Sequence, residues 1–167
     1  MTQPASVTFD GTDLVLWVPT LGDPDFPTHT ELTAGTVVDL SCYLSDTGWA
    51  PALTEAAVTD NRLCSSTDFQ RPGRKGYALP MMYVFNPDVP ADDEARLALT
   101  EGSEGYIVER PAVPFDTAIA GGDLVDVYPV VLGAQQPAGR TANNPWLMQQ
   151  QAYLRGEKRT LVAVLAS

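Results

Sequence analysis

The run Leu124-Val125-Asp126-Val127-Tyr128-Pro129-Val130-Val131 alternates in polarity, with Val125, Val127 and Val131 facing one way and Asp126 and Tyr128 the other. A period of two belongs to a strand, and Pro129, which cannot donate to a ladder, places the run at an edge or a bulge. The same period recurs along the chain. Leu14, Leu16 and Val18 alternate with Asp13, Val15 and Trp17, and Val38, Leu40, Cys42 and Leu44 alternate with Asp39, Ser41 and Tyr43. Both read as half-buried strands. Leu79, Met81, Tyr83 and Phe85 form another alternating face, and Tyr106-Ile107-Val108 is a short strand between Gly105 and Pro111. Leu161-Val162-Ala163-Val164-Leu165-Ala166 has no polar face and needs cover on both sides, from the core or from a partner subunit. The predicted class is mainly β, in one domain over residues 1–167 with an N-terminal arm over 1–12.

A single helix is predicted. Asp92-Asp93-Glu94 follows Pro90 and suits the positive end of a helix dipole, with Asp92 as cap and Gly102 just past the end. Ala95, Ala98 and Leu99 share a face, while Leu97 points nearly opposite, either to solvent or to a neighbouring subunit. Two connections are long. Residues 45–76 hold Gly48, Pro51, Pro72, Gly73 and Gly76 and read as an extended loop, whose Trp49, Val58, Leu63 and Phe69 need burial somewhere. Residues 133–145 are polar and rich in Gly, Gln and Asn.

Charge and composition exclude several functions. Ten basic against 21 acidic residues leave −11, which opposes phosphate-backbone binding and an anionic membrane surface. No stretch approaches the ~20 apolar residues of a membrane helix, and the N-terminus carries no secretion signal. Cys42 and Cys64 form neither a disulfide framework nor a zinc pattern, and read as free thiols packed as small apolar groups. His29, the only histidine, lies in the loop-like stretch 23–29. Gly121-Gly122-Asp123 precedes a strand, whereas a phosphate cradle precedes a helix. No nucleophile–base pair stands out, no cofactor or metal is called for, and the expectation is a protein that is not an enzyme. Gln149, Gln151 and Tyr153 alternate with Met148, Gln150, Ala152 and Leu154, giving an ordinary solvent face or a wet, uncharged wall. Arg155, Lys158 and Arg159 surround Gly156 as a basic hairpin tip, available to the acids of a next copy.

In order and spacing, several segments resemble the tail tube (major tail) proteins of long-tailed phages, of the kind carried by phages of actinobacteria. These are Leu63-Cys64-Ser65-Ser66 with Phe69 and Arg71-Pro72-Gly73, then Met81-Met82-Tyr83-Val84-Phe85, then the helix with Leu97 and Leu99. Gly102 to Arg110 and Gly122 to Val130 follow, so the likeness spans roughly residues 35–165. It implies a β-sandwich or small barrel with one flanking α-helix and long inter-strand loops. It further implies hexameric rings stacked into a tube that conducts genomic DNA through its lumen without binding it. The implied partners are copies of the chain and the tape measure, terminator and distal tail proteins. The implied place is the virion tail, after the host cytoplasm. The family has no catalytic residues to carry over. The candidate subunit contacts are Trp49, Leu63, Phe69, Leu97, Arg155, Lys158 and Arg159. Two rivals are a head–tail joining or terminator ring, which stops at one ring, and a carbohydrate-binding sandwich stacking sugars on Trp17, Trp49 or Trp146.

Overall fold

The computed structural model describes residues 8, 10–64, 66–140 and 142–166. Most of the expected N-terminal arm, and Ser65, therefore lie outside the described residues. In chain order the elements are β1 (Asp13–Val18), α1 (His29–Leu32), β2 (Val38–Asp39), β3 (Leu44–Trp49), β4 (Ala52–Asp60) and β5 (Phe69–Val84). A 3-10 turn (Pro90–Asp92) leads into α2 (Glu94–Ala98), β6 (Glu104–Pro111), β7 (Leu124–Leu132), β8 (Gln136–Pro137), β9 (Leu147–Leu154) and β10 (Arg159–Ala163). The chain is mainly β, as expected. Its strands belong to one open antiparallel sheet in the order β2-β1-β6-β7-β9-β5-β3, with β10 on β7, β8 on β9 and β4 on β5.

The alternation in β7 organises the interior. Val125 and Val127 pack on one side with Leu14, Leu16, Val18 and Val108. Tyr128, Val130 and Leu132 pack on the other with Val15, Trp17, Ile107, Met81 and Tyr83. Leu32 of α1, Leu21, Ile119 and Val164 cover the first side, and Ala95 and Leu99 of the α2 segment cover the second. β1 is thus buried on both faces, not one, because Leu14, Leu16 and Val18 pack in the first cluster while Val15 and Trp17 pack in the second. β3 and β7 lie three strands apart, about 14 Å in a flat sheet. Yet the Trp49 and Tyr128 rings stand edge to face with centroids 5.3 Å apart. The ends of the order, β2 and β3, are joined by residues 40–43 alone, so the sheet curls around the second cluster, where Leu40, Tyr43 and Leu44 pack.

Pro129 explains how one strand serves both ends. β10 pairs with Leu124–Val127 and β9 with Val130–Leu132, on the same edge of β7. The Pro129 carbonyl accepts from Arg155 N–H (3.0 Å), so its missing donor falls where β9 turns into β10. Pro129 therefore marks a change of partner inside the sheet, where the sequence pointed to an edge or bulge.

Other expectations are corrected. The strand expected over 38–44 breaks after β2, because the Asp39 carboxylate accepts from Ser41 N–H (2.8 Å) and Leu40 C=O from Tyr43 and Leu44 N–H. The expected strand 106–108 extends over all of β6. The helix is a five-residue α2 after its 3-10 turn, and Asp93 rather than Asp92 precedes it. The buried Asp93 carboxylate accepts from Asn86 N–H and Arg96 Nε instead of capping. The loop-like stretch around His29 contains α1, held by a reciprocal capping box between Thr28 and Glu31. Cys42 and Cys64 are free thiols but exposed rather than packed. In the final apolar run Val164 is buried, while Leu161 and Leu165 are exposed.

The largest correction concerns residues 45–76. They are not an irregular loop but β3, β4 and the first half of β5. β4 pairs only with β5, along Phe69–Ala78, whereas β9 pairs with β5 only along Leu79–Val84. Residues 69–76 of β5 with their β4 partners therefore leave the body as a two-stranded arm, roughly 26 Å long at strand rise, while Tyr77 packs against the core. The sequence hid these strands because polar alternation needs a buried face, and β4 has none.

Candidate assembly surfaces

The arm is the least self-sufficient part of the chain. Both of its edges lack a partner strand among the described residues, and Leu53, Val58, Leu63 and Phe69 are exposed, Leu63 fully. An isolated hairpin is at best marginally stable in water. Pro72 and the charges of Arg71, Arg74 and Lys75 along β5 discourage indiscriminate edge pairing.

A groove of about 360 Å³ opens between the start of β1 and the turn into β3. Val15, Leu44, Trp49 and Phe115 give it apolar walls, and Asp10, Asp13 and Asp46 supply carboxylates. Ser41, Cys42 and Ser45 complete its polar side. Asp13 Oδ1 and Ser45 Oγ are buried without a hydrogen-bond partner. Burial, then the nearby Glu109 carboxylate, raise the Asp13 carboxyl to about 6. Glu109 itself accepts from Trp49 Nε1 (2.7 Å) and Tyr128 OH (3.4 Å).

A third surface is the outer side of β5 and β9. Pro80 opposes Gln151, Met82 opposes Gln149, and Gln149 also opposes Gln136 of β8. With Tyr153 and Thr47 these residues line a shallow depression without a charged side chain. The glutamines are not all of one kind. Gln149 and Gln151 look outward, but Gln150 is buried, donating to Leu99 C=O (2.9 Å) and Gly133 C=O (2.8 Å) and accepting from Tyr83 OH.

The seven candidate contact residues fall into two groups. Leu63, Phe69 and Leu97 are exposed. Trp49 is half-buried, bonded to Glu109 and set edge to face with Tyr128, and it also lines the groove. The basic tip also finds its acids at home. Lys158 pairs with Asp126 (2.7 Å) above the Tyr128 ring, and its ammonium is held above the usual range by those hydrogen bonds despite burial. Arg159 pairs with Asp25 and Glu157, and Arg155 pairs with Glu104 (3.6 Å) over the Tyr106 ring. The sequence did not mark Arg71, Arg74 or the groove as a surface. The concentration of four of the ten cations within residues 62–75 was the available signal.

Against known families, the whole chain, residues 1–167, matches the model described as phage tail tube protein. The chain belongs to the phage tail tube protein family. It is therefore a structural protein of the tail. A comparison with curated proteins finds no match. Among solved structures, the fold is similar to a chain of the cryo-EM structure of the anti-feeding prophage baseplate, 6-fold symmetrised. The TM-score is 0.54 at 11% identity, over 96% of this chain and 97% of that one. At that identity the likeness concerns the fold alone. In this tail tube family member Trp17 is buried and offers no sugar platform, whereas Trp49 lines the groove and Trp146 is exposed beneath the Arg140 guanidinium.

Proposed function

We propose that copies of this chain assemble into stacked rings forming the tail tube, a conduit through which the phage genome passes into the host cell. The observation that carries this reading is the arm: a hairpin with open edges and exposed apolar side chains, built on residues 69–76 of β5 and their β4 partners. Its free energy improves when identical neighbours complete it. A contact between two different surfaces repeats without closing on a pair, which gives rings and then filaments. A ring of six is the proposed symmetry, supported by the 6-fold symmetrised baseplate structure of similar fold. The outer side of β5 and β9 is the proposed lumen wall, since it is an ordered sheet face whose depression is lined by no charged side chain. Tape measure, terminator and distal tail proteins are the proposed partners, and the host cytoplasm is where the chain waits before joining the virion.

Electron microscopy of the purified chain at rising concentration tests this. Long fibres or stacked rings are expected, and a variant lacking residues 56–73 should remain a soluble monomer. Single rings that never stack would favour the terminator reading. Fibres from the shortened variant would remove the arm from the account.

A further inference from the structure

The arm and the groove are complementary, and neither is satisfied among the described residues of one chain. Between residues 54 and 76 four cations face three carboxylates, so the arm carries +1 while the rest of the chain carries −12. Arg62 pairs with Asp60, and Lys75 with Glu55. Arg71 and Arg74 are exposed and form no ion pair among the described residues.

The register brings these two arginines together. Ala57 opposes Pro72 and Glu55 opposes Lys75, so Gly73 and Arg74 both oppose Ala56 in a bulge. Cross-strand partners share a face, and so do residues two apart on one strand. Arg74 therefore lies on the face of Ala56 and Val58. Arg71, opposite Val58, and Phe69, two residues before it, lie there too. One face of the arm thus combines two free guanidiniums with Val58 and Phe69.

The groove offers the converse set: apolar walls that include Trp49 and Phe115, and three carboxylates that meet no cation among the described residues. A buried carboxylate oxygen without a donor, as at Asp13, is completed by a charged N–H donor from outside. We infer that the groove is the socket for the arm of a second copy, with Arg71 and Arg74 entering among Asp10, Asp13 and Asp46, and Phe69 lying against Trp49 and Phe115. This rests on the tube reading and names the surface that the arm meets.

Charge exchange in the full chain tests the pairing. Arg71→Glu with Arg74→Glu, and Asp10→Lys with Asp46→Lys, alter exposed positions, and each monomer's fold is checked by circular dichroism. Each pair alone should lower fibre yield about tenfold or more, and all four together should restore it to within roughly threefold of the parent. Cys42 lines the groove and supplies a second readout. In fibres of an Arg71→Cys, Cys64→Ser chain, mild oxidation should join Cys42 to the introduced thiol of the next copy and give a ladder of covalent multimers. Parent fibres with no effect of either reversal, with reversals that do not rescue each other, or with no Cys42 cross-link would overturn the socket while leaving the tube intact. A parent chain that stays monomeric at every concentration would overturn both.

Discussion

Asp13 opens β1 with a carboxylate oxygen that is buried and unpartnered, and its carboxyl is raised from 3.8 to about 6 by burial and then by Glu109. Below pH 3.8 the folded and unfolded chains both hold this proton. Between 3.8 and 6 only the folded chain holds it, so stability declines as pH rises through that window and stays lower above it. Asp13→Asn removes the penalty. After allowance for solvent screening, the variant should gain roughly 1–2 kcal/mol at pH 7.5 and nothing near pH 3.5. Thermal unfolding of the monomer at both pH values checks this, and an equal gain at both would rule out the ionisation account. Arg110 shows how a residue's role stays hidden in the sequence. It reads as the polar end of a strand, yet its side chain is almost wholly buried, bonding Asp123 (3.0 Å) and the carbonyls of Pro114, Thr117 and Ala118. Most of those acceptors are backbone oxygens of a loop, which no side-chain pattern announces.

Among the elements, α2 depends on groups far away in sequence. A five-residue helix lacks the length to hold itself. Gln135 donates to the carbonyls of Arg96 and Leu99, and Gln150 donates to Leu99 and Gly133. Gln150→Leu would leave the part-buried Gly133 carbonyl without its donor and the Tyr83 hydroxyl without its acceptor, though Gln135 stays beside that hydroxyl. At about 1–3 kcal/mol for each such group, a loss on the order of 3 kcal/mol is expected in urea unfolding. A loss below about 0.5 kcal/mol would mean that water substitutes for the amide. Legibility follows the same line between burial and solvent. Strands with a buried face, such as β7 and the second half of β5, were readable from period two. α1 left its signal in Thr28 and Glu31, the two ends of a capping box, and that signal went unread. β4 left little, because its residues have no core to alternate against.

The whole molecule sets its charge apart from its ordered outer sheet face. Each copy adds −11, while the outward residues Pro80, Met82, Gln149, Gln151 and Tyr153 carry no charge. The family resemblance was legible over most of the chain, and the alternation in β9 already offered a solvent face or a wet, uncharged wall. Period two sets Gln149 and Gln151 apart from Gln150, but only the folded sheet shows that the face of Gln150 is the buried one and that the pair on the outer face is half-buried. If this face lines the conduit, DNA inside meets amides and thioethers that neither attract nor trap phosphates. In that arrangement the acidic remainder would keep the outside of the tube from collecting DNA. Retention of a polyanion scales with the cations that replace its counterions. Fibres of the parent chain should therefore hold no measurable duplex DNA at ~50 mM salt. Gln149→Lys with Gln151→Lys adds two cations per copy to the proposed wall. Such fibres should acquire DNA retention that falls steeply as salt rises from ~50 to ~200 mM. Co-sedimentation of fibres with labelled DNA reads both outcomes. Salt-sensitive binding by the parent would contradict the conduit, and lysine variants that bind nothing would show that this face does not look into the lumen.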